Sequence, residues 1–556
     1  MRARLALLNA TLFPGVASVA ALVALAAVSA TLGPAAMLAQ GVPACTDGTR
    51  VGTENGPVCG IETGGVTAYL GVPYAEPPVG PLRWRAPAPV TPWTTTLQAT
   101  RAGLNCPQPS FPPGSTSSAV RSEDCLTLNM YVPANAGPGL PVMVEIHGGG
   151  FLIGGPPSGS HLAAAGHVIV IAIHYRLGIL GFLAHKGLGE HSGDYGLQDQ
   201  QAALRWVQRN ITRFGGDPRN VTLFGQSAGG ASVCAAAVSP TAAGLFHKGI
   251  SESAFYNYNV NTIWSARNDC KSELLTESQA EELGASFANK VGCASAADVA
   301  ACLRALPVQT LVDNGGQLLA PDAGGPIGPT INGTTLPVSP AKAFITGRSL
   351  NTITLMTGVA RDEFNGGVYT SLVANSPAQY QELLRQQFGG RAPAVMALYP
   401  LTRFPNASPF IAHRTVMADA FSVCPALVAD QQLARHISVY AFENDNGDTP
   451  QTNPTLPLGA FHNAENPFLF PSSTLVIGPN QAVLGDQIVA QWSGFARTGN
   501  PTVDGTPRWP LYNERQLVMS LVSSGASSLT PTSTLDMQHN CGFWNAENRT
   551  APWAPR

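Results

Sequence analysis

Residues 220–240 read NVTLFGQSAGGASVCAAAVSP, a short hydrophobic run, a glycine-rich turn and an alanine-rich segment in succession. The run VTLF predicts a buried strand, and the alanine-rich segment after it predicts a helix. Between them, Ser227 lies in a Gly-x-Ser-x-Gly pattern, with Gly225 and Gly229 two residues to either side. A sharp turn between strand and helix exposes a serine hydroxyl, and the glycines let the backbone pass without a Cβ clash. A glycine-rich turn formed by chance is the alternative, but the position between strand and helix favours a catalytic serine.

A second glycine-rich stretch, HGGGF at residues 147–151, directly follows the predicted strand PVMVEI. Three consecutive glycines expose backbone N–H groups that can bind an anion. We expect Gly149, Gly150 and Ala228 to donate hydrogen bonds to the oxyanion that forms when a serine attacks a carbonyl carbon. Ala228 begins the helix after the serine, so the positive end of the helix dipole adds to this stabilisation. A flexible turn is the alternative interpretation.

Five nearly continuous hydrophobic runs predict strands that are buried on both faces of a sheet. They are PVMVEI, VIVIAI at 168–173, VTLF, TITLM at 352–356 and ISVYAF at 437–442. Between the second and third, GLQDQQAALRWVQRNI has hydrophobic residues at helical spacing and predicts a crossover helix. This alternation predicts an α/β fold with a large, mostly parallel central sheet flanked by helices. We interpret the intervals 255–350 and 370–435 as helical insertions over the active site rather than as separate domains.

Composition narrows the possible partners. The chain has 556 residues, 44% of them hydrophobic, which is enough to bury a large core. Its net charge of −3 provides no basic field that would attract a nucleic acid. It contains no CxxC pair and no HExxH motif, so we expect no metal site.

The N-terminus has the order of a secretory signal. Two arginines precede the apolar run VASVAALVALAAVSA, which is followed by small residues and a Gly-Pro pair. We expect a signal peptide at 1–39 and a single domain at 40–556, and a secreted or periplasmic location. A retained N-terminal membrane anchor is the alternative, because residues 16–39 are nearly long enough to span a bilayer. No later segment has eighteen uninterrupted apolar residues, so we expect no stable membrane insertion after removal of the signal.

Longer motifs resemble those of the type-B carboxylesterases, the family that includes bacterial para-nitrobenzyl esterases and the cholinesterases. They are GVPYAEPPVGPLRWRAP, SEDCLTLNMYVP, HGGGF, YGLQDQQAALRWVQRNITRFGGDPRNVTLFGQSAGG and HNCGFW, spread over roughly residues 50–545. The resemblance implies an α/β-hydrolase fold. It also implies a serine carboxylic-ester hydrolase that works through an acyl-enzyme intermediate, without a metal or an organic cofactor.

By the same resemblance, GVARDEF places the acid of a catalytic triad at Glu363, and GAFHNAENPFLF places the histidine at His462. Ser227 would then be the nucleophile, His462 the general base and Glu363 the acid that orients the histidine. Asp362 is the neighbouring alternative for the acid, and we interpret it as a loop or salt-bridge residue.

The resemblance extends to residues outside the triad. Ser253 is expected to support the triad with a hydrogen bond and Glu123 to pair with Arg83, although both could be ordinary packing residues. The implied disulfides are Cys106–Cys125, Cys293–Cys302 and Cys424–Cys541. Cys45 and Cys59 flank a short loop and are expected to form a fourth pair. Cys234 is interpreted as a buried thiol, and Cys270 has no assigned role.

Two departures from the family pattern bear on the substrate. Gln226 stands where many relatives have glutamate, so a negative charge beside the histidine is missing. The segment between Cys106 and Cys125 lacks the tryptophan with which cholinesterases hold a quaternary ammonium group. We therefore expect hydrolysis of uncharged small-molecule or polymeric esters rather than choline esters. We expect the protein to be a monomer or a weak homo-oligomer. A lipase or a polyester or toxin esterase on the same fold is the alternative, and a non-catalytic cholinesterase-like binding protein is less favoured because Ser227, Glu363 and His462 are all present.

Overall fold

The predicted strands lie together in the middle of an 11-stranded sheet in the computed structural model of the chain. The structure describes residues 44–110, 120–135, 137–255, 270–272, 274–315, 328–365, 373–450, 458–472 and 475–550. Its strands are β1 (Val51–Gly52), β2 (Pro57–Cys59), β3 (Ile61–Thr63), β4 (Val66–Pro73), β5 (Leu97–Gln98), β6 (Thr127–Pro133), β7 (Leu140–Ile146), β8 (Ile169–Ile173), β9 (Gly216–Gln226), β10 (Lys248–Glu252), β11 (Leu275–Thr276), β12 (Thr330–Ile331), β13 (Thr354–Ala360), β14 (Ser438–Asn444), β15 (Leu517–Leu521) and β16 (Ser528–Pro531).

Seven central strands of the large sheet are parallel and follow the order β8, β7, β9, β10, β13, β14, β15. Antiparallel strands β6, β4 and β3 extend one side of the sheet, and β16 extends the other. The five predicted strands are β7, β8, β9, β13 and β14. Strand β10 was not predicted, because its sequence KGISE is not a continuous hydrophobic run. Since parallel strands end at the same edge, the residues after β9, β10 and β13 meet there, and this edge carries the candidate site.

The helices are α1 (Ser160–Gly166), α2 (Gly178–Phe182), α3 (Tyr195–Asn210), α4 (Ala228–Val238), α5 (Glu277–Lys290), α6 (Val299–Ala305), α7 (Val308–Gly315), α8 (Pro340–Thr346), α9 (Pro377–Phe388), α10 (Ala392–Leu398), α11 (Pro409–Ala418), α12 (Cys424–Leu433), α13 (Asn466–Leu469), α14 (Pro479–Thr498), α15 (Tyr512–Arg515), α16 (Thr532–Gln538) and α17 (Cys541–Thr550). Helix α3 is the predicted crossover between β8 and β9. The described parts of the two intervals interpreted as insertions are largely helical, and the first also contains the short parallel pair β11–β12.

Two hydrophobic cores cover the two faces of the sheet. In β7, Val142 and Val144 belong to the larger core, whereas Met143 between them belongs to the smaller one. This alternation explains the nearly continuous hydrophobic runs, because a strand covered on both faces buries the side chains at almost every position. Trp492 of α14 lies in the smaller core and Trp206 of α3 in the larger one.

Five disulfides use all ten cysteines of the chain. They are Cys45–Cys59, Cys106–Cys125, Cys234–Cys270, Cys293–Cys302 and Cys424–Cys541. The interpretation of Cys234 as a free buried thiol is wrong. Its sulfur is bonded to Cys270, and the bond ties helix α4 to the chain that follows β10 at a separation of 36 residues. The pairing could not be read from the sequence because the two residues approach only through the packing of α4 against β10.

By its contacts, Cys45–Arg556 forms one compact unit. The predicted signal peptide lies outside the described residues. Among the helices that the structure describes, none is both long enough and apolar enough to span a bilayer.

Candidate active site

Ser227 lies on a strained turn between β9 and α4. Its backbone has φ 60° and ψ −124°, a conformation that residues other than glycine rarely adopt. A Cβ on Gly229 would lie 1.9 Å from the carbonyl oxygen of Ile146, and one on Gly225 would lie 2.4 Å from the same oxygen. The backbone N–H of Ser227 donates to the carbonyl of Glu252 at 2.8 Å. The Gly-x-Ser-x-Gly pattern is therefore required by the close approach of β7 and β10 to this turn.

The HGGGF loop lies directly beside this serine. A Cβ built on Gly148 would be 3.1 Å from the Cβ of Ser227. Gly149 and Gly150 have φ of 108° and 63°, and a Cβ on Gly149 would lie 2.0 Å from the carbonyl oxygen of Ile153. The three glycines therefore allow a bend that brings the backbone at Gly148 against Ser227 without an intervening side chain.

Two further features bear on the oxyanion donors. His147 stacks on Tyr175 with ring centroids 4.5 Å apart, and the Tyr175 hydroxyl donates to the His147 carbonyl at 2.9 Å. Burial lowers the pKa of His147 to about 4, so the ring is neutral and fixes the loop without adding charge. Ala228 is the first residue of α4, where a backbone N–H has no acceptor within its own helix.

His462 and Glu363 meet although 99 residues separate them in sequence. Nδ1 of His462 and Oε1 of Glu363 are hydrogen-bonded. The second carboxylate oxygen, Oε2, accepts from the Ser253 hydroxyl at 3.1 Å and from the Ala360 backbone N–H at 3.0 Å. Glu363 is fully buried and His462 is 8% exposed, so solvent competes little for these bonds.

Asp362, the alternative acid, points to other partners. Its carboxylate accepts from the backbone N–H of Ala460 and forms an ion pair with Arg361. The arrangement can orient one histidine tautomer through Glu363, and it leaves Asp362 as a residue of the loop.

Gln226, the residue before the serine, reaches the histidine ring. Its Nε2 lies 3.1 Å from Nε2 and 3.2 Å from Nδ1 of His462. A neutral amide therefore occupies the position beside the imidazole, and no negative charge is supplied from this side.

The sequence did not reveal a group of buried carboxyl groups beneath the site. Glu145 of β7, Glu252 of β10 and Glu465 are all at least 96% buried. Burial raises the pKa of each, and the negative charge of the next carboxyl group raises it further: Glu252 acts on Glu145, Glu465 on Glu252 and Glu363 on Glu465. Two features of the sequence could have indicated these carboxyl groups. Glu145 lies inside the predicted buried strand PVMVEI, and Glu465 lies three residues after His462.

Arg83 and Glu123 form the pair that the family resemblance implies. Arg83 binds Glu123 through two parallel hydrogen bonds of 2.7 and 2.6 Å, and its Nη1 also donates to the carbonyls of Arg304 and Leu306. The pair thus joins the N-terminal region to the first insertion.

Within the described residues, no group of histidine, cysteine and carboxylate side chains could hold a metal ion.

These features define a class, the serine hydrolases of the α/β type with a nucleophile on a strand–helix turn. The sequence matches the family described as "Carboxylesterase family" over residues 47–544. The chain belongs to this family and is a carboxylic ester hydrolase.

Similarity to individual relatives extends over most of the chain. The para-nitrobenzyl esterase of Bacillus subtilis (strain 168) is 34% identical over 489 residues, 84% of this chain and 92% of the relative. The acetylcholinesterase of Bungarus fasciatus is 32% identical over 89% of this chain and 86% of its own length. The fumonisin B1 esterase of Sphingopyxis macrogoltabida is 32% identical over 85% of this chain and 86% of its own length. A solved structure titled "thermophylic PNB esterase" superposes with a TM-score of 0.72 at 31% identity, covering 88% of this chain and 99% of the other.

Proposed function

We propose that the protein is a secreted carboxylesterase that cleaves uncharged esters with Ser227 as nucleophile, His462 as general base and Glu363 as the orienting acid. The observation that carries the proposal is the buried hydrogen bond between Glu363 and Nδ1 of His462, at the sheet edge where Ser227 occupies its strained turn. A carboxylate on Nδ1 selects the tautomer whose Nε2 can accept a proton.

The reaction follows from these roles. His462 takes the hydroxyl proton of Ser227 as the serine oxygen attacks the ester carbonyl, and the backbone N–H groups of Gly149, Gly150 and Ala228 stabilise the oxyanion. The imidazolium then protonates the leaving alcohol, which leaves an acyl group on Ser227. His462 next removes a proton from water, the resulting attack releases the carboxylic acid, and the serine regains its proton.

The nucleophile is tested by Ser227→Ala. We expect kcat on a para-nitrophenyl ester to fall by about 10⁶-fold with unchanged circular dichroism. A fluorophosphonate probe should label the wild-type protein at Ser227 and leave the variant unlabelled. Full hydrolysis by a pure Ser227→Ala sample would overturn the assignment, and folded wild-type protein that neither labels nor hydrolyses would indicate a binding protein.

The preference for uncharged esters rests on Gln226, whose amide lies where a carboxylate would attract a cation. A matched pair of substrates tests it: acetylthiocholine and 3,3-dimethylbutyl thioacetate, which have nearly the same shape and differ in charge. We expect kcat/KM to be higher for the neutral ester, and Gln226→Glu to raise the cationic-to-neutral ratio several-fold. A wild-type preference for the cationic ester would contradict the proposal.

Chain length and physical state of the substrate separate the carboxylesterase from the other esterases of this fold. Nitrophenyl acetate and butyrate, a long-chain triglyceride emulsion and a polyester film should be compared at equal enzyme concentration. We expect the soluble short-chain esters to be hydrolysed fastest. Faster hydrolysis of the triglyceride emulsion would indicate a lipase instead of a carboxylesterase, and faster hydrolysis of the film would indicate a polyester esterase.

Export through a signal at 1–39, followed by a single domain at 40–556, is part of the proposal. Its support is the charged, apolar and small-residue order of the N-terminus together with five disulfides, which persist in oxidising compartments. Expression of the full chain in a bacterium, fractionation and intact mass measurement test it. Soluble periplasmic protein that lacks the leader is expected, and full-length protein in the membrane fraction would indicate the retained anchor.

A further inference from the structure

Two loops meet behind the triad and are joined by backbone hydrogen bonds. The acid loop, residues 361–365, follows β13, and the histidine loop, residues 458–462, contributes His462. The N–H of Asp362 donates to the carbonyl of Ala460 at 2.9 Å, and the N–H of Ala460 returns a bond to Oδ2 of Asp362 at 3.0 Å. Asp362 thus binds both the backbone N–H and the backbone carbonyl of Ala460, which lies two positions before the histidine.

An arginine fixes the Asp362 carboxylate in this position. Arg361 donates to the same Oδ2 from Nε at 3.1 Å and from Nη2 at 2.7 Å. Its Nη1 binds Asp445, which also accepts from the Ser520 hydroxyl at 3.2 Å. The side chain of Asp362 is 15% exposed, so its orientation is set by the bonds to Arg361 and Ala460 more than by solvent.

Gly459 shows independently how closely the two loops approach. Its φ is +63°, and a Cβ at this position would lie 2.1 Å from Oδ2 of Asp362. A second side-chain bond, from Nδ2 of Asn365 to the carbonyl of Leu458 at 2.9 Å, fixes the start of the histidine loop. The path of the backbone toward His462 is therefore determined by contacts with the acid loop.

We propose that Asp362 is a positioning residue for catalysis, which holds the histidine loop so that the His462 ring stays aligned between Glu363 and Ser227. This inference rests on the proposed triad and adds a residue that touches none of the reacting atoms. Asp362 acts through Ala460: without its carboxylate, the backbone before His462 loses an acceptor and Arg361 loses a partner. The ring then departs from the geometry that proton transfer requires.

The test compares Asp362→Ala with Asp362→Asn. A displacement of about 1 Å at a catalytic group costs about 100-fold, so we expect Asp362→Ala to lower kcat by about 100-fold with KM changed less than about twofold. Asparagine keeps an oxygen that can accept from Ala460, so kcat should recover to within about tenfold of wild type. The rate of fluorophosphonate labelling at Ser227 should fall in parallel with kcat, because it needs the same activated serine.

Asp445→Asn is the matched control, since it removes a charge from the same arginine but belongs to the contacts of β14 and β15. We expect it to lower the melting temperature without lowering kcat below about a third of wild type. If Asp362→Ala does not fold, the comparison of Asp362→Asn with Asp445→Asn carries the test. Wild-type kcat in folded Asp362→Ala would overturn the proposal. So would a loss of kcat in Asp445→Asn equal to the loss in the Asp362 variants.

Two further variants separate this inference from the triad itself. If Asp362 were the catalytic acid, Asp362→Asn would be as inactive as Asp362→Ala, and Glu363→Gln would retain activity; that result would refute both assignments. An inactive Ser227→Ala and Glu363→Gln beside a fully active Asp362→Ala would refute only the positioning role.

Discussion

The Ser253 hydroxyl donates a hydrogen bond to Oε2 of Glu363 at 3.1 Å, while the other carboxylate oxygen binds His462. Ser253 follows β10 with a positive φ of 50°, and its N–H is bound to the carbonyl of Gly358 at 2.8 Å. The acid is therefore held from two neighbouring strands, because Ala360 of β13 supplies the second bond to Oε2.

Removal of this hydroxyl should weaken the orientation of the acid. For Ser253→Ala we expect kcat to fall about tenfold, which corresponds to about 1.4 kcal/mol for one hydrogen bond to a charged group. The matched control is Ser422→Ala, because Ser422 is also buried and its hydroxyl has no hydrogen-bond partner among the residues that the structure describes. Equal kcat values for the two variants, measured on a nitrophenyl ester, would contradict the expectation.

The turn at the serine should not tolerate a methyl group two residues downstream. In Gly229→Ala the new Cβ would meet backbone of β7 at 1.9 Å, so either the strand or the turn must move. We expect a loss of stability of about 2 kcal/mol and a larger loss of activity, measured by urea unfolding and by kcat. Gly542→Ala is the control, because a Cβ there meets nothing within 4 Å and α17 gains a better helix former. A Gly229→Ala protein with wild-type kcat would show that the elbow is less constrained than the contacts indicate.

The Cys234–Cys270 bond should contribute to both stability and turnover. Its loop of 36 residues predicts about 4 kcal/mol from the reduced entropy of the unfolded chain. The N–H of Cys270 donates to the carbonyl of Ala254 at 3.0 Å, next to Ser253, so we expect the double alanine variant to lose several-fold in kcat as well. The double alanine variant of Cys45 and Cys59 should lose stability but keep its kcat. A free thiol at Cys234 in a non-reducing peptide map would contradict the pairing.

The buried carboxyl group of Glu252 should make stability depend on pH. Burial, followed by the charge of Glu465, raises its pKa in the folded protein above the usual value near 4.5. Between these two pKa values the folded state binds a proton that the unfolded state does not. Stability is therefore greatest below the unfolded pKa and falls as pH rises toward the folded one.

Glu252→Gln should remove this dependence, because glutamine does not ionise and can still accept from Nε1 of Trp492, which now lies 2.8 Å from Oε1. We expect a melting temperature higher than that of wild type by about 2 °C or more at pH 9, and nearly equal at pH 5. Glu382→Gln, at an exposed position, serves as control and should leave the wild-type slope intact. Parallel curves of melting temperature against pH for wild type and Glu252→Gln would count against the protonated carboxyl.

Much of the fold and the site could be predicted from local patterns. The runs that form β7, β9 and β14 are hydrophobic at nearly every position because both faces of each strand are covered. The glycines around Ser227 follow from contacts within one turn, and the motifs around Glu363 and His462 are contiguous. The structure joins Glu363 to His462 and places Gly148 of the HGGGF loop against Ser227, and the catalytic roles of the predicted residues stay a proposal.

What could not be predicted depends on contacts between distant segments. Strand β10 carries Lys248, Gly249 and Glu252, so its burial between β9 and β13 leaves no hydrophobic run in the sequence. Glu252 is tolerated there because burial raises its pKa, which favours the neutral carboxyl group, and because its Oε1 accepts a hydrogen bond from Trp492 of α14, 240 residues away. The partner of Cys234 and the bonds of Asp362 to the histidine loop were likewise set by tertiary packing.

The disulfides have one more property, which concerns how the chain matures. The cysteines pair consecutively along the sequence, the first with the second and the third with the fourth, as 45–59, 106–125, 234–270, 293–302 and 424–541. No bridge therefore encloses or crosses another. An oxidase that joins thiols in the order in which they emerge from a translocation pore would make every native bond at the first attempt. Under that order of oxidation, the pairing pattern would leave no mispaired intermediate for an isomerase to reshuffle.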